Sequence, residues 1–268
     1  MSSLRLKALN ALATAALRPR LTATPSPQVA RREFERATRI FLRPPPNCLV
    51  LSDPEMDWVS VGPPAGEVLI LYFHGGAYLV GSPRTHRALA GRIAALSGLR
   101  VALPSYPLAP ENPAPAAFEA ALAAWDLVVA RGYASDRIVL GGDSAGGGLA
   151  LALLAHLIKT GAAPAGLFAY SPWTDLTGSG GTIAANTAHD RLFDPQRLAE
   201  VIGYVTSNGA FPADDPRLSP YFADFQAPPP VWMSVARSEI LLDDTLRIAG
   251  KLRAGGGASG NSATVTTP

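Results

Sequence analysis

The chain has little cysteine, little net charge and no long apolar run. Its single cysteine, Cys48, excludes an internal disulfide framework and any multi-cysteine metal site, and we interpret it as a small, half-buried apolar residue. The formal net charge of +2 gives no electrostatic case for a nucleic-acid partner. No apolar run approaches the roughly 20 residues that a membrane-spanning helix needs. We expect no cofactor and a cytoplasmic location.

Histidine is also scarce, and none lies beyond position 189. The four histidines are His74, His86, His156 and His189. They have neither the mutual spacing nor the acidic partners of a zinc site, so we expect no metal.

Strand-like and helix-like segments alternate along most of the chain. Short apolar runs predict five buried strands: Val68–Phe73, Arg100–Leu103, Ile138–Leu140, Gly166–Tyr170 and Val231–Val235. The main predicted helices are Gln28–Leu42, Thr85–Leu96, Pro113–Ala130, Gly147–Ile158, Pro195–Thr206 and Asp244–Arg253. This alternation indicates an α/β fold, in which a mostly parallel sheet carries helices on both faces.

Composition divides the chain into three regions. Residues 1–46 are interpreted as N-terminal helices that contribute to a lid. The first, over Met1–Arg20, is interpreted as an amphipathic helix; its basic, acid-free composition leaves a targeting peptide as the alternative, although no clear cleavage site follows it. Residues 47–253 form the predicted core, with a Pro- and Asp-rich lid insertion at about 171–225, where open α/β sheets bind ligands. The glycine-rich residues 254–268 are interpreted as an atypical flexible tail.

The sequence Gly-Asp-Ser-Ala-Gly at residues 142–146 lies between a predicted strand and a predicted helix. A strained turn in that place exposes a nucleophile, and the flanking glycines prevent collisions with the neighbouring strand and helix. Ser144 is therefore the candidate nucleophile. Ala145 can offer its N–H, at the positive end of the helix, to a developing oxyanion.

Two adjacent glycines, Gly75 and Gly76, follow His74 at the end of the strand Val68–Phe73. Alone, this pattern is equally typical of a tight turn. Together with the serine turn, it predicts that Gly75 and Gly76 complete an oxyanion hole with Ala145.

A carboxylate in the loop after a late strand can orient a catalytic imidazole, and Glu239 follows the strand Val231–Val235. The alternative is an exposed charge at a helix N-terminus. Asp243 and Asp244 compete for the role, but we interpret them as helix-start or bracing residues.

These motifs, with further blocks at residues 106–111, 171–176 and 215–220, resemble the hormone-sensitive-lipase-like branch of the α/β-hydrolase superfamily, a group of bacterial carboxylesterases. The resemblance extends to about Arg253. It implies an α/β-hydrolase fold with a helical lid, and hydrolysis of small, short-acyl esters through an acyl-enzyme on Ser144. It also implies a homodimer as a candidate assembly. The candidate pocket residues are Tyr78, Trp173 and His189, each of which has an equally good interpretation as a core or surface residue.

The triad order in this superfamily is serine, acid, histidine, yet no histidine follows Glu239. We therefore predict that the C-terminal strand and the histidine loop are missing through truncation by a frameshift, and that activity is impaired. An unprotected edge at Val231–Val235 and poor solubility would follow. Two alternatives remain open: a non-catalytic small-molecule binding protein with a hydrolase fold, and a truncated gene product.

Overall fold

One eight-stranded sheet forms the centre of the computed structural model, which describes residues 25–190, 197–256 and 263–266, the last four by their backbone alone. The strands are β1 (Cys48–Ser52), β2 (Met56–Val61), β3 (Leu69–Phe73), β4 (Arg100–Pro104), β5 (Ile138–Asp143), β6 (Gly166–Tyr170), β7 (Val231–Ser234) and β8 (Ala263–Thr266). Their order is β1-β2-β4-β3-β5-β6-β7-β8. All pairings from β4 to β8 are parallel, which confirms the predicted sheet.

Helices connect the strands and cover both faces of the sheet. They are α1 (Pro27–Phe41), α2 (Pro83–Ser97), α3 (Ala116–Ala130), α4 (Ala145–Lys159), α5 (Gly181–Ala185), α6 (Leu198–Val205) and α7 (Leu242–Ala254), with 3-10 turns at Ser135–Arg137 and Pro220–Phe222. A capping box at Ser82 and Thr85 starts α2, and Gly98, with φ of 72°, ends it. The predicted helix at Met1–Arg20 lies outside the described residues.

The alternation of side chains along β3 divides the core into two layers. Leu69, Leu71 and Phe73 belong to the larger cluster, which contains the buried faces of α3, α4 and α7. Ile70 and Tyr72 point the other way, into the smaller cluster with α2. Because both faces are covered, β3 is buried along its whole length, as a central parallel strand requires.

An antiparallel hairpin of β1 and β2, not predicted from the sequence, forms one end of the sheet. Its turn is fixed by Asp53, whose Oδ1 accepts the N–H groups of Glu55 at 3.0 Å and Met56 at 2.8 Å. An aspartate that bonds its own backbone two or three residues on is a recognised turn signal. That signal could have located the hairpin.

The prediction of a missing C-terminal strand is wrong. Ala263–Thr266 forms β8, which pairs in parallel with β7 from Val231↔Ala263 to Ser234↔Thr266. The segment contains Thr264, Val265 and Thr266, and β-branched residues favour strands, although its polarity suggested a tail. The edge of β7 is therefore covered, and the physical reason given for poor solubility is removed. The glycine-rich residues 257–262 lie outside the described residues.

Substitution of Leu151 by Ala tests the core on α4. Leu151 is fully buried in the larger cluster, so the variant should lose about 2–5 kcal/mol of unfolding free energy, measured by urea denaturation. Leu96→Ala is the matched control, because Leu96 is a helical leucine that is 90% exposed. Equal losses in the two variants would contradict the assigned core.

Candidate active site

Ser144 occupies a strained turn between β5 and α4. Its φ is 51° and its ψ −123°, a conformation that residues with side chains rarely adopt. The Ser144 N–H donates to Tyr170 O at 2.9 Å, and its carbonyl accepts the N–H of Trp173 at 2.9 Å. Backbone of β6 and of the loop after it thus holds the turn in place. Strain of this kind persists only where the surroundings impose it.

Gly146 lets α4 approach the end of β3. A Cβ atom on Gly146 would collide with the carbonyl oxygens of Phe73 and His74. The requirement for glycine at this position agrees with the steric argument drawn from the sequence. The close approach brings the loop after β3 to the serine turn.

The loop after β3 turns sharply through residues with positive φ. Gly76 has φ of 125°, and a side chain there would collide with Val80 O. Ala77 and Tyr78 continue the turn with φ of 55° and 59°. In the described part of the chain, no acceptor takes the backbone N–H of Gly76, Ala77 or Ala145. These three groups can therefore bind an anion.

Gly75 differs from its neighbours. Its N–H donates to Asp143 Oδ1 at 3.0 Å, so the structure does not leave Gly75 free as an oxyanion donor. No local sequence pattern reveals this hydrogen bond, because the acceptor is 68 residues away along the chain.

The Asp143 carboxylate lies directly behind the serine turn. Besides Gly75, it accepts the hydroxyl of Tyr72 at 2.8 Å and lies 3.4 Å from His86 Nε2. Burial alone would raise the pKa of Asp143, but the hydrogen bonds and charge of these neighbours hold it below its ordinary value. An ionised carboxylate therefore fixes the start of the glycine loop.

His74 is buried beneath this loop and is neutral. Burial, followed by the neighbouring His86, lowers the pKa of His74 to about 3. Its Nδ1 lies 2.9 Å from Gly75 O, and its ring stacks on Tyr106 with centroids 4.1 Å apart. The Tyr106 hydroxyl donates to His74 O at 2.6 Å. These contacts stiffen the loop.

Glu239 lies in the loop between β7 and α7, not in the first turn of the helix. Its Oε1 accepts the N–H of Ala236 at 2.8 Å, and its carbonyl accepts Asn186 Nδ2 at 2.7 Å. The side chain is half-buried. The contact with Asn186 was not predicted, because that residue lies in a separate turn 53 residues earlier.

Within the described residues, none of the four histidines hydrogen-bonds to the side chain of Ser144 or of Glu239. His74 and His86 belong to the polar cluster behind the turn, and His156 packs edge-on against Phe118. His189 is exposed in the turn after α5, where its N–H donates to Asn186 O.

Two of the three candidate pocket residues lie close together. The rings of Tyr78 and Trp173 are buried, with centroids 6.4 Å apart. Neither the Tyr78 hydroxyl nor Trp173 Nε1 has a hydrogen-bond partner among the described residues. No ring contact joins His189 to either of them within the same part of the chain.

Asp243 and Asp244 brace the loops beside the site, as the sequence predicts. Asp244 Oδ2 accepts the N–H groups of Thr174 at 2.7 Å and Asp175 at 2.9 Å. Asp243 Oδ2 accepts the N–H of Thr182 at 3.0 Å. Burial raises the pKa of Asp244 to about 7, well above its ordinary value of 3.8.

The described residues contain no cluster of three metal-ligating side chains. Within the same ranges, every helix is too short or too polar to cross a bilayer.

Comparisons with known proteins agree on one family. A family profile for the alpha/beta hydrolase fold matches residues 70–264. An esterase from Acinetobacter venetianus is 38% identical over 184 residues, which cover 68% of this chain and 60% of that protein. An acetyl-hydrolase from Streptomyces hygroscopicus is 35% identical over 224 residues, covering 80% of this chain and 72% of that protein. The chain thus spans less than two thirds of the Acinetobacter esterase.

Solved structures show the same likeness over the whole chain. The crystal structure of an esterase from the bacterial hormone-sensitive lipase family is 31% identical, with a TM-score of 0.90. The match covers 100% of this chain and 88% of that one. A mutant of the esterase E40 has the same identity and TM-score, and the match covers 99% and 89% of the two chains.

Asp244→Asn should change how stability depends on pH. The raised pKa means that the folded state binds the Asp244 proton more tightly than the unfolded state, so this stabilisation is complete below about pH 4 and is lost as the pH rises through about 7. An asparagine Oδ1 can accept the same two N–H groups without ionising. The unfolding free energy of the variant relative to the native chain should therefore rise by about 1 kcal/mol or more between pH 4 and pH 7.

Urea denaturation across that pH range measures the difference. Asp136→Asn, at an exposed position, is the control and should show no such rise. A constant difference for Asp244→Asn would contradict the assignment.

Proposed function

The chain belongs to the alpha/beta hydrolase fold family, in its hormone-sensitive-lipase-like branch, and we propose that it is a serine hydrolase of carboxylic esters. The observation that carries the proposal is the pairing of the strained Ser144 turn with three unbonded N–H groups, on Gly76, Ala77 and Ala145. The esterase names of its relatives support it.

Ser144 Oγ attacks the ester carbonyl carbon, and the bonding electrons of the carbonyl move onto its oxygen. The unbonded N–H groups stabilise that oxyanion. The tetrahedral adduct then collapses: the bond to the alcohol oxygen breaks, and the proton from Ser144 is transferred to the departing alcohol. Water attacks the acyl-enzyme in the same way, which releases the acid and restores the Ser144 hydroxyl.

Gly76 and Ala145, with Ala77 in place of Gly75, are the donors that we assign to the oxyanion hole. Asp143 Oδ1 accepts the Gly75 N–H, whereas the N–H groups of the next two residues have no acceptor among the described residues. Asp143 is thus a positioning residue. Gly75 is required because a Cβ atom there would collide with the Asp143 carboxylate.

Proton transfer is the weak step of this chain. Glu239 has the family position of the acid that orients a histidine, but the 268 residues contain no histidine after it. The four histidines that are present make other contacts. Loss of one triad member typically lowers kcat by roughly 10⁴ to 10⁶, and the remaining catalysis comes from the oxyanion hole and substrate binding. We therefore infer impaired hydrolysis in these 268 residues.

Short-acyl esters are the proposed substrates. The rings of Tyr78 and Trp173 are buried and lie close together. The backbone N–H of Trp173 donates to Ser144 O, so we infer that these rings restrict the space beside the nucleophile. One relative is named an acetyl-hydrolase, which agrees with a small acyl group. His189, α1 and the segment at about 171–225 remain proposed parts of the entrance and lid. A homodimer and a cytoplasmic location also remain proposals.

A non-catalytic binding protein is the second candidate, and the missing histidine favours it. Retention of Ser144 and of the unbonded N–H groups favours the hydrolase, since binding alone requires no nucleophile.

Ser144→Ala should abolish both slow turnover of a short-chain nitrophenyl ester and covalent labelling by a serine-reactive phosphonate, because both reactions need Ser144 Oγ. Ester hydrolysis followed by absorbance, and intact-protein mass spectrometry, provide the measurements. Ser97→Ala removes an exposed helical serine and should leave both reactions unchanged.

Labelling that persists in Ser144→Ala would refute the proposed nucleophile. Saturable binding of the ester, without turnover or labelling in the native chain, would support the binding protein instead.

Asp143→Ala should slow phosphonate labelling of Ser144 by about tenfold or more, because a released glycine loop no longer presents its N–H groups to the developing anion. Asp136→Ala, an exposed position, is the matched control. The rate at saturating phosphonate should fall while half-saturation changes little. A change confined to half-saturation would indicate a role in binding instead.

A further inference from the structure

Positive charge is concentrated at the N-terminal end of the chain. The first 43 residues hold nine lysines and arginines against two acids, so the other 225 residues hold fourteen against nineteen. A nearly neutral protein is therefore divided into a basic part and an acidic part. Such asymmetry is typical of proteins that bind an anionic surface.

The described part of this basic region lines a cleft of about 880 Å³ between α1 and α2. Its wall holds five arginines and two glutamates. The arginines are Arg32, Arg36, Arg39, Arg84 and Arg87.

Four of these arginines have no internal role that the structure describes. Arg87 pairs with Asp57 at 2.7 Å, but no described residue bonds to the side chain of Arg32, Arg36, Arg39 or Arg84. Residues 1–24 contain four basic side chains and no acid, so they cannot neutralise the arginines. A partner of opposite charge can therefore bind there.

An apolar surface adjoins the arginines. Ile40 is 64% exposed and Phe41 67%, and they are followed by the exposed Leu42, which also lines the cleft. Arg39 and Arg43 flank the three apolar residues. Consecutive exposed apolar side chains beside cations are typical of segments that insert at the headgroup level of a bilayer.

Arg31 fastens the N-terminal half of α1 to the body of the protein. Arg31 of α1 donates to Leu79 O at 2.7 Å and to Ala109 O at 2.6 Å, and its guanidinium pairs with Glu111 at 2.6 Å. Leu79 lies in the loop that carries Gly76 and Ala77.

We propose that the α1 surface, formed by Arg32, Arg36, Arg39, Arg84 and the apolar residues Ile40–Leu42, binds anionic lipid bilayers. The arginines bind the headgroups, and Ile40 and Phe41 insert between the acyl chains. A nucleic acid would use the same arginines but would leave the apolar residues exposed to water, so the combination favours lipid. The proposal does not depend on ester hydrolysis.

Co-sedimentation of the whole chain with vesicles tests it. The chain should bind vesicles of equal phosphatidylglycerol and phosphatidylcholine, and release from them in about 0.5 M NaCl, where the Debye length is only a few Å. Arg36→Gln/Arg39→Gln should weaken binding by about tenfold or more, since each cation near an anionic bilayer adds to the binding affinity. Ile40→Ser/Phe41→Ser should weaken it to a similar degree.

Matched variants remove the same groups elsewhere. Arg137→Gln/Lys159→Gln removes two exposed cations, and Leu96→Ser/Leu246→Ser removes two exposed leucines; both should bind as the native chain does. Circular dichroism verifies that each variant is folded.

Three outcomes would overturn the proposal: no binding at low salt, equal binding to pure phosphatidylcholine, or equal loss in the matched variants. Binding of duplex DNA that depends on Arg36 and Arg39 but not on Ile40 and Phe41, without vesicle binding, would identify a nucleic-acid surface instead.

Discussion

The close approach of α4 to the end of β3 is the constraint on which the rest of the site depends. Only a glycine at position 146 permits it, because any side chain would meet the carbonyl oxygens of Phe73 and His74. The approach brings the Ser144 turn and the glycine loop together. Hydrogen bonds from Ser144 to Tyr170 and from Trp173 to Ser144 then impose the positive φ of the serine. Ser144, the proposed nucleophile, is thus held by the sheet and the helix together.

A second layer of contacts determines what the loop can do. Asp143 is the last residue of β5, and its carboxylate accepts the Gly75 N–H while His86 and Tyr72 stabilise its charge. The Gly75 N–H is therefore bonded, whereas the N–H groups of Gly76 and Ala77 have no acceptor among the described residues. A second aspartate acts similarly on the loop after β6, where the Asp244 side chain accepts the N–H groups of Thr174 and Asp175. Both loops around Ser144 are therefore held by carboxylates.

Local signals in the sequence predicted much of the fold. The bounds of β6 were predicted to the residue, and the main helices to within a few residues, because apolar periodicity marks elements buried against a sheet. The hairpin of β1 and β2 escaped prediction because it lies at one end of the sheet, where the side chains of β1 are exposed or half-buried. β8 escaped because two of its four residues are polar threonines and it follows a glycine-rich segment. Asp143 and His86 were missed for another reason. Their partners are distant in the chain, so no local pattern reveals them.

The sequence by itself determined the family, the candidate nucleophile Ser144 and the absence of a histidine after Glu239 in these 268 residues, because these depend on residue identity and short-range spacing. Only the tertiary structure decided which N–H groups are unbonded, where Glu239 lies, and that β8 covers β7. It also decided that Arg32, Arg36, Arg39 and Arg84 line one cleft with Leu42, beside the exposed Ile40 and Phe41. Hydrogen bonds and packing between distant segments settle these questions, and each backbone donor can serve only the acceptor that folding brings to it.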